Sequence, residues 1–190
     1  MKDFNPEELI RLTYDEDDLI EHALDGLRPY FDIHRQVKGS LATGKQMRID
    51  AIVTPLSRDS WRNKDIALGI EFKSCHLNQT KDHTGTIGQL VDYSLVKWDR
   101  FGQIPIFVCP GFSHRRTARN DEFTRGFNYA FNRVMKEFNI GELLLHNWYG
   151  WSFVMADTHD MWTERTGVTE GKNWSLTRKY GNRGIGVKSK

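Results

Sequence analysis

The chain has 190 residues, of which 38% are hydrophobic and 27% charged, so it is long enough for one domain with a buried core. Its apolar runs are far shorter than the ~20 residues that a membrane-spanning helix needs. The acidic N-terminus lacks an apolar signal core, which predicts a cytoplasmic protein. Cys75 and Cys109 are too few for a structural zinc site or a disulfide scaffold, and we expect reduced thiols near strand ends.

The net charge of +2 conceals an uneven distribution of charged residues. Residues 1–32 carry 10 acidic and 3 basic side chains, so residues 33–190 carry 24 basic and 15 acidic ones, a surplus of +9. Residues 171–190 hold six basic side chains and no acidic one. This distribution suits a polyanionic partner, although a merely solvated tail would have the same composition.

Helical and strand periodicities alternate along the first 74 residues. A polar cap at residues 13–16 precedes an apolar stripe at helical spacing that stops before Pro29. Residues 66–74 are more continuously apolar than the earlier predicted strands, which predicts a central strand. In chain order we expect a short helix from Pro6 to Leu12, a helix from Asp17 to Leu27, a strand from Phe31 to Val37, a turn at residues 39–44, a strand from Met47 to Val53, a loop from Pro55 to Asp65 with Trp61 exposed, and a strand from Ile66 to Ser74.

The second half continues this alternation. We expect a polar loop from His76 to Gly85, a helix from Thr86 to Trp98, a strand from Ile104 to Cys109, a basic loop from His114 to Arg119, a helix from Asp121 to Asn139 with a core stripe that includes Phe131 and Val134, and a strand or hairpin from Leu143 to Met155. This order predicts an α/β fold with a central mixed β-sheet flanked by helices. We expect one domain over residues 1–170 and a basic, flexible C-terminal tail over residues 171–190.

Two predicted strands carry acidic residues, which buried strands normally avoid. Asp50 lies in one, and Glu71 and Lys73 lie two apart in the next and so share a face. If these strands pair, the two carboxylates meet and need a cation. Mg²⁺ takes oxygen ligands of this kind, and the Phe72 carbonyl is a further candidate ligand. The alternative is that Glu71 and Lys73 are ordinary charged residues of an edge strand.

Lysine beside a metal ion suits phosphodiester hydrolysis. Lys73 can hold or deprotonate the attacking water or stabilise charge on the phosphate, because a nearby cation lowers the pKa of an amine. Gln89 and Tyr93 lie four apart on a predicted helix, so both can point at one site.

The ordered set Asp50, Glu71-Phe72-Lys73 and Gln89-x-x-x-Tyr93 resembles the PD-(D/E)xK nuclease superfamily, most of all its RecB/Cas4-type branch, over about residues 15–110. The resemblance implies a restriction-endonuclease-like core. In this sequence Ile49 replaces the usual proline, and the interval from Asp50 to Glu71 is long, which implies an inserted loop.

The resemblance also implies roles for individual residues. Asp50, Glu71, Phe72 and a helix acid, Glu21, would bind the metal, although Asp17 and Asp25 are alternatives to Glu21. The implied catalytic set is Asp50, Glu71, Lys73, Gln89 and Tyr93, in which the lysine serves the nucleophilic water and the last two lie near the DNA. Mg²⁺ is the implied cofactor, with Mn²⁺ as a substitute. The cysteines that build an iron–sulfur cluster in some relatives are absent, so we expect no cluster.

Other residues are candidate contacts with DNA. Loop histidines His76 and His83 could bind phosphate or metal, or be solvated. Trp148, Tyr149 and Trp151 could stack on unpaired bases or belong to the core. Basic residues that could bind the DNA backbone are Arg115, Arg116 and Arg119 in the basic loop and Arg178, Lys179 and Arg183 in the tail.

The sequence therefore predicts a Mg²⁺-dependent nuclease that hydrolyses phosphodiester bonds of DNA, as an endonuclease or exonuclease in DNA processing, recombination or repair, with a phage as one expected source. We expect DNA as the partner, no membrane, and a homodimer as one arrangement. One alternative is a nuclease-fold module that binds DNA without cutting it, within a larger complex. Another is an unrelated basic α/β interaction protein, in which Asp50 and Glu71 lie far apart.

Overall fold

The computed structural model describes residues 15–61, 63–73, 80–111, 131–146, 148–155 and 159–168. The helices are α1 (Glu16–Leu27) and α2 (Thr80–Leu95), and residues 131–137 are also helical. The strands are β1 (Phe31–Ser40), β2 (Gln46–Pro55), β3 (Leu68–Phe72), β4 (Lys97–Trp98), β5 (Ile106–Cys109), β6 (Ile140–His146), β7 (Gly150–Met155), β8 (His159–Thr163) and β9 (Gly167–Val168).

Within these residues the strands form one mixed sheet of nine strands in the order β4-β1-β2-β3-β5-β6-β7-β8-β9. The pairs β3–β5 and β5–β6 are parallel, and the other neighbouring pairs are antiparallel. Parallel neighbours need a crossover connection: α2 lies in the one from β3 to β5, and residues 131–137 precede β6. The prediction of an α/β fold with a mixed sheet flanked by helices is therefore confirmed.

Helices cover both faces of the sheet and create two hydrophobic cores. In the first core, α1 packs against side chains of β2, β3, β5 and β7. In the second core, α2 and residues 131–137 pack against the other face of β2 and β5. β3 lies between them and is buried over its full length, which confirms the predicted central strand.

Helix α1 has the bounds and the apolar face that its sequence predicts. The Asp15 side chain accepts a hydrogen bond from the Asp17 backbone N–H at 3.0 Å and caps the first turn. Three acidic residues in that turn lie at the positive end of the helix dipole. The buried stripe consists of Leu19, Ala23, Leu24 and Leu27.

The predicted bounds of α2 are wrong at both ends. The helix begins at Thr80, so the predicted polar loop is helical in its second half, and it ends at Leu95. Trp98, which we expect in the helix, belongs to β4, where it pairs with Gly39 and is buried. Pairing with a strand competes with extension of a helix, and helical spacing alone does not reveal the competition.

The β1–β2 hairpin is longer than predicted. β1 continues through Gly39 to Ser40, and the turn lies at residues 42–43. A side chain at position 39 would meet Val96 and Trp98, so this glycine permits close packing and does not make a turn. A glycine in a sequence is typical of either role, which is why the prediction of a turn failed.

Two large side chains have a burial opposite to the prediction. Trp61 is not exposed: it is 3% accessible and packs edge-on against Phe31, with ring centroids 6.4 Å apart. Val134 is exposed, and Met135 is buried in its place. Periodicity gives no information on a single loop aromatic, and an error of one residue in helical phase moves burial to the neighbouring position. The predicted strand or hairpin after Leu143 is the β6–β7 hairpin.

Several predictions lie outside the described residues, namely the Pro6–Leu12 helix, the loop at 114–119, the beginning of the Asp121–Asn139 helix and the tail at 171–190. Cys109, the last residue of β5, is buried and forms no disulfide with the described residues. None of the helices in the described part of the chain is long and apolar enough to cross a membrane.

The absence of a side chain at Gly69 is required by packing in the centre of the sheet. A Cβ atom there would lie 2.8 Å from the Cδ1 atoms of Ile106 and Ile49. We expect Gly69→Ala to lower the free energy of unfolding by about 1–3 kcal/mol, because branched neighbours on buried strands cannot move aside. Gly85→Ala, on α2 with open space around it, is the matched control and should stabilise the helix by up to about 1 kcal/mol. Urea unfolding measures both, and equal effects would contradict the packing argument.

Candidate active site

An irregularity in the β1–β2 pairing positions the Asp50 carboxylate. Arg35 pairs with Ala51 and Val37 with Ile49, so Gln36 lies opposite Asp50 where the regular pairing is interrupted. Gln36 has a φ of 53°, in the left-handed region that non-glycine residues rarely adopt. Strand alternation breaks here, because Ile49 belongs to the second core and Ala51 to the first.

Both carboxylate oxygens of Asp50 accept a hydrogen bond. Gln36 Nε2 donates to Oδ1 at 3.3 Å, and the Phe72 backbone N–H donates to Oδ2 at 2.8 Å. The second bond ties Asp50 to the last residue of β3. It thereby holds the carboxylate at the edge of the sheet where β3 ends.

Glu71 is a buried carboxylate whose two oxygens differ in their hydrogen-bond partners. Its residue accessibility is 3%. Oε1 accepts hydrogen bonds from Lys73 Nζ at 2.5 Å and from Gln89 Nε2 at 2.8 Å. Oε2 is also buried, but no donor among the described residues reaches it. Leaving a buried acceptor without a partner costs about 1–3 kcal/mol, and more for a charged group, so this oxygen is the least satisfied atom of the site.

Helix α2 contributes Gln89 and Tyr93 to the site, next to Asp50 on β2 and Glu71 on β3. Gln89 Nε2 lies 2.8 Å from Tyr93 Oη as well as contacting Glu71. The Tyr93 hydroxyl donates to the Arg48 carbonyl oxygen at 2.7 Å, and its ring packs edge-on against Trp98. Because Gln89 and Tyr93 are one turn apart, the helix links the Glu71 carboxylate to the β2 backbone just before Asp50.

The electrostatics of the site favour an added proton or cation. Burial, followed by the neighbouring Asp50 carboxylate, raises the pKa of Glu71 from 4.5 to about 7, and Lys73 acts in the opposite direction. Burial, followed by the charge of Glu71, raises the pKa of Tyr93 to about 12. Asp50 and Glu71 therefore repel each other, and a positive charge between them would relieve this repulsion.

The donor set fits a hard divalent cation. Asp50 and Glu71 offer carboxylate oxygens, and Glu71 Oε2 has a free lone pair. Mg²⁺ is commonly held by one or two carboxylates together with water and phosphate oxygens. In the ranges that the structure describes, no group of three or more His, Cys, Asp or Glu side chains could hold a metal ion.

Glu21, the predicted helix ligand, makes a different contact. Its Oε1 accepts a hydrogen bond from Arg35 Nη1 at 2.6 Å, and both side chains are about half exposed. The alternative Asp25 is paired with Arg28. No contact of Glu21 with Asp50 or Glu71 is present among the described residues, and its role as a metal ligand stays a prediction. Phe72 is fully buried, and its N–H contacts the site as described above.

The aromatic residues of the β6–β7 turn divide between core and surface. Trp151 is buried in the first core, as the core interpretation predicts. Trp148 is 61% accessible, so that interpretation is wrong for this residue, and the Arg165 guanidinium lies 4.4 Å from its ring centroid. The proposed phosphate-binding residues Arg115, Arg116, Arg119, Arg178, Lys179 and Arg183, and His76, lie outside the described residues, as does the side chain of His83.

The sequence predicted five residues of the site, but it did not predict a sixth, Gln36. The five that the structure brings together are Asp50, Glu71, Lys73, Gln89 and Tyr93. Gln36 was not predicted, because a glutamine in a strand gives no sign of a left-handed backbone, whereas glycine or asparagine would.

Comparison of the chain with protein-family models, with curated proteins and with solved structures found no match.

We expect Glu71 to make the metal-free protein less stable as the pH rises from about 4.5 to about 7. The folded state holds this proton more tightly than the unfolded chain, since its pKa is raised to about 7. The contribution is therefore complete below pH 4.5, is lost as the pH passes 7, and amounts to about 3 kcal/mol. Urea unfolding in chelator should show this pH dependence in the wild type and not in Glu71→Gln. The same slope in both proteins would contradict it.

Because Gln36 has a left-handed backbone, the relative stability of its valine and glycine variants should be the opposite of that at an ordinary strand position. A β-branched residue is strongly disfavoured at positive φ, so we expect Gln36→Val to be less stable than Gln36→Gly by at least about 1 kcal/mol. At Lys38, two residues further along β1 in regular pairing, the order should reverse, because valine suits a strand and glycine weakens it. Denaturant unfolding of the four variants measures this, and the same order at both positions would count against strain at Gln36.

Proposed function

We propose that this chain is a metal-dependent nuclease that hydrolyses phosphodiester bonds of DNA, with Mg²⁺ as its ion. The observation that carries the proposal is the buried Glu71 carboxylate. One of its oxygens is held by Lys73 and Gln89, the other lacks a donor, and Asp50 lies beside it. A purely structural ion pair has no need of a second carboxylate that raises its energy, whereas a cation site does.

The order of elements supports a restriction-endonuclease-like core. α1 is followed by three antiparallel strands, then by α2, and then by β5, which is parallel to β3. The two acidic positions lie on adjacent strands and the Gln89/Tyr93 face lies on the helix that follows. The motifs of the resemblance thus occur on elements of the expected type and order.

Each residue of the site has a role in the proposed reaction. Asp50 and Glu71 would hold Mg²⁺, which when bound lowers the pKa of water and neutralises charge on the phosphate. Lys73 Nζ, held against Glu71, orients the attacking water or takes its proton. Gln89 fixes the orientation of the Glu71 carboxylate, and Tyr93 fixes Gln89 through its own bond to the backbone of β2. Water then adds to phosphorus and gives up its proton to a neutral Lys73 amine or, when Lys73 is the cation of the ion pair, to solvent. The bond from phosphorus to the leaving oxygen breaks, and that oxygen takes a proton from solvent water.

One observation favours a second candidate function, a DNA-binding module without catalysis. The Lys73–Glu71 ion pair is short and already places a cation on one carboxylate oxygen. If that pair were permanent, the site would not need a metal. The two functions therefore differ in whether the site takes up a divalent ion.

We expect Mn²⁺ or Mg²⁺ to raise the thermal stability of the wild-type protein by mass action, by about 2.7 kcal/mol when the ion is a hundredfold above its Kd. Glu71→Gln and Asp50→Ala should lose this stabilisation, because each removes a carboxylate from the site. Lys45→Ala, which breaks a surface ion pair with Asp92, is the control. Calorimetric titration with Mn²⁺ measures binding directly, and no uptake by the wild type together with intact DNA affinity would favour the binding module.

We expect Asp50→Ala and Lys73→Ala to abolish DNA cleavage while the fold stays intact. Loss of a proton-transfer or water-orienting group lowers rates by roughly 10²- to 10⁴-fold, and loss of a metal ligand removes the ion. The exposed Lys64, in the β2–β3 connection, gives the control Lys64→Ala, which should cleave like the wild type. The assay uses duplex, single-stranded and branched DNA with Mg²⁺ or Mn²⁺. Wild-type protein that cuts no form of DNA or RNA would overturn the proposal.

A further inference from the structure

The β1–β2 hairpin extends past the end of β3 as an arm, residues 37–49, and β4 adds a short third strand to it at Gly39 and Ser40. Pairing between β1 and β2 continues to Ser40 opposite Gln46. Pairs between β2 and β3 run only from Val53 to Ala51 on the β2 side. The arm therefore begins at Asp50 and projects from the edge of the sheet where β3 ends, which is the edge that carries Glu71.

The two faces of the arm differ sharply in polarity. Its inner face packs in the second core through Val37, Leu41, Met47 and Ile49. Alternation along each strand places the intervening residues on the outer face, and none of these belongs to either core. On β1 and β2 the outer face consists of Lys38, Ser40, Gln46 and Arg48, two cations and two neutral polar residues. On the other side of β1, Lys97 pairs with Ser40, and the Asp99 backbone N–H donates to the Lys38 carbonyl oxygen.

Lys38 and Arg48 are direct cross-strand partners and both are exposed. Like charges directly opposite each other destabilise an antiparallel pair. Within the described residues neither side chain has a hydrogen bond or an ion pair, whereas Lys45 at the tip of the same arm pairs with Asp92. The nearest acidic residue along the pairing, Asp99, contacts Lys38 through its backbone N–H. The pair thus places two positive side chains next to each other, at a cost to the hairpin, and neither of them forms an ion pair with a described residue.

We propose that Lys38 and Arg48 form a phosphate clamp that holds the DNA strand beside the bond to be cleaved. The inference rests on the proposed nuclease function and adds a binding site to it. Arg48 lies two residues from Asp50, about 7 Å along the strand, or roughly two base-pair steps of 3.4 Å along the DNA helix axis. The planar fork of an arginine and the point charge of a lysine can bind oxygens of one phosphate together. Such contacts position the backbone and carry no base specificity.

The salt dependence of DNA binding tests the clamp. Fluorescence anisotropy with labelled duplex and single-stranded DNA, in chelator so that nothing is cleaved, gives the slope of log K against log salt. Each phosphate contact contributes about 0.9 to the slope for duplex and about 0.7 for single strands. Because the two side chains bind one phosphate, we expect the double variant Lys38→Ala/Arg48→Ala to reduce the slope by about 0.9 for duplex or about 0.7 for single strands.

A matched control separates the clamp from general charge. Arg28→Ala/Lys64→Ala removes the same two charges at the opposite edge of the sheet, since Arg28 precedes β1 and Lys64 lies between β2 and β3. This variant should retain the wild-type slope. An equal loss in both double variants would overturn the clamp and indicate only a net-charge effect.

A single charge reversal separates binding from folding. Lys38→Glu creates an opposite-charge pair with Arg48, so we expect a higher melting temperature than the wild type together with weaker DNA binding. Partial unfolding cannot produce that combination. Lys64→Glu, with the same change in net charge, should leave DNA affinity unchanged.

Failure of the clamp and failure of the nuclease are distinguishable. If the wild type cleaves DNA, and Lys38→Ala/Arg48→Ala keeps the wild-type DNA affinity and salt slope, the clamp hypothesis is wrong and the nuclease hypothesis is unaffected. If the wild type binds DNA through the clamp but takes up no Mn²⁺ and cuts nothing, the nuclease is wrong and the clamp remains as part of a DNA-binding module.

Discussion

The burial of one carboxylate at the end of β3 constrains the whole site. Glu71 lies between β2 and β5 and under α2, so water cannot stabilise its charge, and Asp50 raises the cost further. Each neighbour acts on this problem: Lys73 and Gln89 donate to one oxygen, and Tyr93 holds Gln89 in place. The second oxygen lacks a donor. A cation bound near Glu71 Oε2 would therefore stabilise the buried charge. A reaction on phosphate that depends on a cation requires a site of this kind.

Under the proposed function, the arm would bind the polyanion next to this carboxylate site. The same hairpin that carries Asp50 continues outward and presents Lys38 opposite Arg48. Negative charge at the end of β3 and positive charge on the arm lie within a few residues of one another along β2.

Features that depend on local pattern could be predicted from the sequence. The Asp15 cap and the apolar stripe predicted α1, and the continuous apolar run predicted the central β3. The spacing of Glu71 and Lys73 on a strand, and of Gln89 and Tyr93 on a helix, brought their side chains together as expected. These relations depend only on the periods of strand and helix.

Features that depend on distant partners could not be predicted. Trp98 is a strand residue because β1 offers it an edge, and Trp61 is buried because Phe31 lies beneath it. Gln36 adopts a left-handed backbone where the β1–β2 pairing is interrupted opposite Asp50, and the residue type gives no sign of it. In each case a tertiary contact decides between local states of similar energy.

The parallel pairing of β3 with β5 has a consequence for how the protein folds. Phe72 pairs with Cys109, so β3 gains its second neighbour only after the intervening chain, including α2, has closed a long loop. Antiparallel hairpins such as β1–β2 form with much smaller loop-closure cost. We expect Glu71 to remain hydrated, with an ordinary affinity for protons, until β5 docks. A divalent ion would then bind only the completed sheet and would act chiefly by slowing unfolding, not by accelerating folding.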